Sequence, residues 1–280
     1  MGGSETGGVA RSTPYTKAVS IANVPPELKK LLPGKWEMIG KVVILKLRKE
    51  LEPFEDQVGE AYAEALGADS VFAVDGMISG TYRRPALHRI YGHDGETVHH
   101  ENGVNYVIDV STVMFSSANH DERIRMAGLD CDGETIVDMF AGIGHLSMPI
   151  AVHSAPAKIV ASEASEATYR YLLKTIEANG VQDVYDALNI DNRLLDVKGA
   201  DRVIMGYLMN TGEWLGHAIS MCRKGATIHL HEAVRRNALS EWKETLTAHY
   251  GGGRVTISSV RKVKGYSALL DHMVADLIVC

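Results

Sequence analysis

Thr135-Ile136-Val137-Asp138-Met139-Phe140-Ala141-Gly142-Ile143-Gly144 decides the fold. An apolar strand-like run ends on an acidic residue, turns through two glycines and enters a helix-like stretch. Gly142 and Gly144 permit a tight turn and close approach of a ligand to the backbone. In open α/β sheets, ligands bind outside the carboxyl ends of the strands, near the switch in strand order. A paired-glycine turn alone is a common structural device. The strand–turn–helix context is what points to a nucleotide-type ligand.

Downstream of this loop the rhythm repeats. Apolar strands are expected at 134–139, 157–162, 184–189, 201–206 and 225–231, with helix-like stretches between them. Such alternation implies a parallel sheet covered by helices on both faces. Runs at 255–260 and 272–279 have no long helix between them and would close the sheet as a hairpin. The expectation for 110–280 is therefore an α/β, Rossmann-like class I domain that binds S-adenosylmethionine (SAM), with a seven-stranded, mostly parallel sheet. Spacing alone leaves a dinucleotide-binding Rossmann domain open. Against that alternative, the loop lacks the third spaced glycine of GxGxxG, since Met148 and Pro149 follow Ser147.

Upstream, residues 14–109 read as a smaller mixed α+β domain. A β-rich run covers 41–47, and a helix is expected over 54–66, where Val58, Ala61, Tyr62 and Leu66 fall near helical spacing. A second apolar strand covers 70–74, and Gly76, Gly92, Gly95 and Gly103 punctuate short strands after it. A linking helix is expected at 119–129. Residues 1–13 are rich in Gly, Ser and Thr and are expected to be disordered.

The length, 280 residues, suits one large domain or two modest ones. No apolar run is long enough to span a bilayer, and no signal peptide opens the chain. Cys131, Cys222 and Cys280 form no CxxC pair and no disulfide framework, which suggests a reducing cytoplasm. The net charge of −6 does not advertise nucleic-acid binding, so any such surface must be a local patch on an acidic body.

Three strand ends carry the candidate cofactor residues. Glu163 lies 21 residues after Gly142, where an acidic side chain can accept hydrogen bonds from both ribose hydroxyls. A solvated carboxylate favoured by the following helix is the plainer reading. Asp191 and Asn192 end the third strand and could meet an adenine, although both are ordinary turn formers. Ser116 and Arg123 lie in a polar run ahead of the glycine loop. Arg123 suits a carboxylate through bidentate pairing; a surface helix with Glu122 and Arg125 as an i,i+3 pair explains the run equally well. Tyr207 at the fourth strand end could stack on a base or simply pack. His229, His231 and Glu232 resemble metal ligands, as more weakly do His99, His100 and Glu101. Neither set has a familiar zinc spacing, so no metal is expected.

The segments VMFSSANHDERIRM (113–126), VDMFAGIGHLSMPIAV (137–152), IEANGV (176–181), DNR (191–193) and MGYL (205–208) together resemble the wybutosine-synthesis aminocarboxypropyltransferases that act on tRNA. The resemblance runs from about Trp36 to His231, and the compact form looks archaeal. A related family, the tRNA guanine-N1 methyltransferases, has Asn-Leu-Pro at the end of the fourth strand and a proline after the glycine loop. Here those places hold Met205–Leu208 and His145, which favours the aminocarboxypropyl branch. Guanine-N1 methylation is the alternative.

The resemblance implies transfer of the 3-amino-3-carboxypropyl group of SAM to carbon 7 of 4-demethylwyosine, at position 37 of phenylalanine tRNA. It implies that Ser116 and Arg123 hold the methionine part of SAM, Glu163 the ribose, and Asp191 and Asn192 the adenine. Phe140, Gly142 and Gly144 would form the loop beneath it. RNA contact is expected at the local basic cluster of Arg83, Arg84 and Arg89, which includes His88. Two further basic clusters are Lys29, Lys30, Lys35, Lys41, Lys46, Arg48 and Lys49, and Arg261, Lys262 and Lys264. Each is more often a solvated face than an RNA site.

Overall fold

The computed structural model describes residues 13–76 and 86–280. The expected disorder of the N-terminus therefore falls, but for Thr13, outside the described residues, as do Arg83 and Arg84. The chain divides into two compact units, 1–97 and 98–280.

In the first unit, helix α1 (Pro14–Ile21) starts on Thr13, whose side chain accepts from the Thr16 N–H. Strands β1 (Trp36–Ile39), β2 (Val42–Leu45), β3 (Ser70–Val74) and β4 (Leu87–Gly92) form a sheet in that order. Only the β2–β3 pair is parallel. Helix α2 (Glu55–Leu66) buries Val58, Ala61, Tyr62 and Ala63, the stripe its helical spacing predicts. These residues share a core with Leu45, Leu51 and Val71. Strands 41–47 and 70–74 were legible; β1, only four residues long and mostly half-buried, was not.

A boundary at 109/110 was expected, but the division falls twelve residues earlier. Strands β5 (Glu96–Glu101) and β6 (Val104–Asp109) form a two-stranded ribbon. Strand β6 is tied to a helix of the second unit, α5 (Glu166–Asn179). The Val107 N–H donates to Thr175 Oγ1 at 3.1 Å, and Asn105 and Asn179 exchange two hydrogen bonds of 2.9 and 2.7 Å.

The second unit continues through α3 (His120–Ala127), β7 (Thr135–Asp138), α4 (Ser147–His153), β8 (Lys158–Ser162), α5 and β9 (Tyr185–Leu188). It then runs through β10 (Ala200–Leu208), α6 (Leu215–Met221), β11 (Cys222–Arg235), α7 (Leu239–Glu244), β12 (Val255–Gly265) and β13 (Leu270–Val279). Seven strands form one sheet in the order β12-β13-β11-β10-β7-β8-β9. Neighbours from β9 to β11 are parallel, and β13 runs antiparallel to both β11 and β12. Strand order reverses between β7 and β10, which makes the end of β7 the switch point. Buried Val137, Met139, Val203, Met205, Ile228, Leu230 and Leu277 form one core layer. Near-continuous apolar runs of this kind are what a parallel sheet covered on both faces requires. No helix among the described residues is long and apolar enough to cross a membrane.

Candidate cofactor site

The loop after β7 is held by backbone bonds to both neighbouring strands. Met139 N–H donates to Ile204 O and Ala141 N–H to Ser162 O, each at 3.0 Å. Gly142 and Gly144 have φ of +58° and +85°, in the left-handed region that glycine enters without a Cβ penalty. A Cβ on Gly142 would stand 2.7 Å from the His145 ring. The sequence thus places a bare, positively turned backbone at the switch point.

Glu163, just past the end of β8, reaches back to this loop. Its carboxylate accepts from the Gly142 N–H at 3.0 Å and from the Ser165 N–H at 2.7 Å. Burial raises its pKa, and the two amides only partly offset this. The structure thus brings together three predicted residues, Gly142, Gly144 and Glu163.

Phe140 stands half-buried beside the loop. Its ring stacks on Tyr207 at 5.2 Å and 23°, and meets the edge of Trp214 at 6.4 Å. The Arg193 guanidinium lies 5.8 Å from the Trp214 centroid. Trp214 carries no local sequence signal and was missed. Strand β10 ends in strain, because Leu208 has φ +77° and Asn210 φ +51°. Non-glycine residues in this region cost about 1–3 kcal/mol each and cluster at functional sites.

Asp191 caps the short turn Asn192–Leu194 and accepts from the Arg193 N–H at 2.9 Å and its guanidinium at 2.8 and 2.7 Å. Those hydrogen bonds hold its pKa at about 2. The turn-forming reading is therefore realised, with the carboxylate kept ionised at the strand end. Asn192 is buried, and its Nδ2 finds no partner among the described residues. A buried amide donor without an acceptor is costly, and this one lies on the strand end where an adenine was expected. Glycine loop, acidic strand end and orphaned amide together fit an adenosine-bearing ligand.

Arg123 departs from expectation. It does not stand open to a ligand carboxylate; it is 2% exposed and donates to both oxygens of Glu101 on β5, with Nη2–Oε2 at 2.7 Å. Its Nη1 donates to the Ser116 backbone oxygen at 3.1 Å, and the guanidinium packs on Phe115 at 4.5 Å. Burial alone would raise the Glu101 pKa, but hydrogen bonds from Arg123 and His99 outweigh it and hold the carboxyl well below its usual range. The edge of Arg123 that suits a carboxylate already has one. The Phe115 ring lies 5.7 Å from that of His145 in the glycine loop, so Arg123 supports the neighbourhood of the loop from behind. The Ser116 hydroxyl accepts from Lys264 Nζ at 2.7 Å. The other expected pair, Glu122 with Arg125, also forms.

Behind the loop, Asp138 is fully buried. It accepts from Ser147 Oγ at 2.6 Å and from the Phe140 N–H at 3.2 Å, and Ser147 continues to the Tyr185 hydroxyl at 2.6 Å. Burial raises the Asp138 pKa to about 6 despite these bonds. A raised carboxyl contributes stability fully below its unfolded value and loses it as pH rises through 6. The advantage of the parent over Asp138→Asn should therefore shrink by up to about 3 kcal/mol from pH 4 to 7. Urea unfolding of both proteins across that range checks this; a pH-independent difference would contradict it.

The histidines that resemble metal ligands serve internal networks. His229 sits between Arg202, at 2.7 Å, and Asp276, at 2.6 Å. His231 and His272 share a 3.0 Å contact, and burial lowers the pKa of both His229 and His231. Among the described residues no group of three or more His, Cys, Asp or Glu side chains is placed to hold a metal ion. Of the basic residues, Arg89 is exposed on β4 and donates to His93 O at 3.1 Å, while His88 lies between Glu55 and Asp75.

This geometry defines a doubly wound domain whose glycine loop, buried Glu163 and orphaned Asn192 amide lie at the carboxyl ends of its parallel strands and fit an adenosine-bearing ligand. Residues 97–248 match the family model for the TRM5/TYW2 methyltransferase domain, and residues 18–95 match that for the TYW2 N-terminal domain. The tRNA(Phe) (4-demethylwyosine(37)-C(7)) aminocarboxypropyltransferase of Pyrococcus horikoshii is 42% identical, over 95% of this chain and 96% of that protein. The crystal structure of P. horikoshii TYW2 in complex with MeSAdo matches with a TM-score of 0.86 at 38% identity, covering 95% of this chain and 98% of that one. Trm5b from Pyrococcus abyssi matches with a TM-score of 0.80 at 30% identity, covering 96% and 81%. The chain belongs to the TRM5/TYW2 family.

Proposed function

We propose that this protein transfers the 3-amino-3-carboxypropyl group of SAM to carbon 7 of 4-demethylwyosine at position 37 of phenylalanine tRNA. The observation that carries this reading is the 42% identity, over nearly the whole chain, to an aminocarboxypropyltransferase of that specificity. Residues 98–280 would be the catalytic, class I SAM-binding unit, working in the cytoplasm.

Within it, Glu163 would accept from the ribose hydroxyls, and Asp191 and Asn192 would face the adenine. Gly142 and Gly144 leave room for the ligand against the loop backbone. Ser116, fixed by Lys264 and Arg123, would border the methionine tail. When bound, SAM supplies a carbon activated by its sulfonium, and the co-product is methylthioadenosine. Because a sulfonium carries three displaceable carbons, the protein's task is orientation. Phe140, Tyr207 and Trp214 offer the aromatic faces on which an extruded base stacks. Arg83, Arg84 and Arg89 would contact the RNA.

The co-product separates this reading from guanine-N1 methylation. Chromatography of a reaction with SAM and tRNA carrying 4-demethylwyosine should yield methylthioadenosine. S-adenosylhomocysteine instead, formed with tRNA whose position 37 is an unmodified guanosine, would establish methyl transfer.

A further inference from the structure

Three basic clusters stand in the sequence. On β12, Arg261 pairs with Asp276 at 3.0 Å and Lys262 with Asp271 at 2.8 Å, and Lys264 donates to the Ser116 hydroxyl. Arg83 and Arg84 lie outside the described residues. Three cations of the remaining cluster, Lys35, Lys46 and Arg48, border an open groove of about 470 Å³ in the first unit, lined also by Pro33, Gly34 and Leu47.

The groove lies where the chain enters β1 and leaves β2, beside the Trp36–Leu45 pair that ends this ribbon. Its floor is fixed. The buried Tyr62 hydroxyl donates to Pro33 O, and Tyr62 packs edge-on against Trp36 at 6.0 Å. Lys35 precedes β1 and Lys46 and Arg48 follow β2, all three exposed. None of the three side chains has a hydrogen-bond or ion-pair partner among the described residues. Converging cations left unneutralised in a protein of net charge −6 mark a site for an anion that arrives from outside. Long, flexible, exposed cations around one opening suit an extended polyanion, whose phosphates meet them in turn.

We propose that this groove binds the sugar–phosphate backbone of the substrate tRNA. The proposal rests on the tRNA reading above and adds to it a surface in the first unit. Its contacts would set affinity and salt dependence without touching SAM.

The test uses the full chain, with fluorescence anisotropy of labelled tRNA over a potassium chloride series and SAM calorimetry on the same preparations. Lys46→Ala/Arg48→Ala should lose roughly tenfold in tRNA affinity at low salt, and the log–log salt slope should fall by about two. SAM affinity should equal that of the parent, and an unchanged far-ultraviolet circular dichroism spectrum shows that the first unit is folded in the variant. Lys46→Glu should weaken tRNA binding several-fold more than Lys198→Glu, an equal charge change at an exposed pair in the second unit. A double variant with the parent's affinity and slope, or equal effects of the two charge reversals, would overturn the groove assignment. A parent that binds SAM but no tRNA at low salt would instead sink the underlying tRNA reading.

Discussion

Arg123→Ala is expected to destabilise the second unit by about 3–5 kcal/mol at neutral pH, because it leaves the Glu101 carboxylate buried without its main partner. The sign follows from Glu101. In the parent its carboxyl is held below the usual range, so the pair's stabilisation is present above the unfolded value near 4.5 and is lost at lower pH. The deficit of the variant should therefore be largest near pH 7 and shrink as pH falls below about 4.5, where a neutral Glu101 no longer needs the guanidinium. Denaturant unfolding at pH 7 and pH 4 reads both quantities. Arg123→Ala/Glu101→Gln should recover part of the loss, since removing both charges avoids the unpaired ion. If Arg123→Ala is as stable as the parent while SAM affinity collapses, Arg123 is a ligand contact after all and the pairing with Glu101 is incidental.

Glu163→Ala should lower SAM affinity tenfold or more, with the fold intact. Hydrogen bonds to a charged group contribute about 1.5–3 kcal/mol each, and this carboxylate is fixed by Gly142 and Ser165 at the strand end. Glu163→Gln should retain more affinity than Ala, since the amide oxygen still accepts. Because burial raises its pKa, acid should weaken SAM binding at a higher pH than an ordinary glutamate would predict. Isothermal calorimetry at two pH values measures this. Unchanged affinity in a folded Glu163→Ala protein would remove the ribose assignment.

These two side chains mark how far sequence reasoning reached. Glu163 was legible because its position is local: it follows a strand end, a fixed interval after a glycine turn, and the fold carries it to the loop. Arg123 was not, since its partner Glu101 lies on another element and nothing in the spacing links them. The same limit explains Arg261 and Lys262. They read as a basic cluster because Asp271 and Asp276 lie on β13, and the antiparallel register that pairs the two strands is invisible in one dimension. Asp191 was read both as a turn former and as a ligand contact; its cap on the turn containing Arg193 realises the first without removing the second. The sheet itself was plain, because buried parallel strands leave continuous apolar runs. The unit boundary was misplaced because β6 is held by side-chain bonds from α5, which no composition shift announces.

The aminocarboxypropyl group, not the methyl, is expected to leave SAM. Mass spectrometry of tRNA incubated with the protein and carboxyl-labelled SAM tests it most directly. The label should be retained on the RNA, in a nucleoside heavier than its precursor by one aminocarboxypropyl group. A mass gain of a single methyl group, with no label on the RNA, would contradict the account and make guanine-N1 methylation the activity of this site.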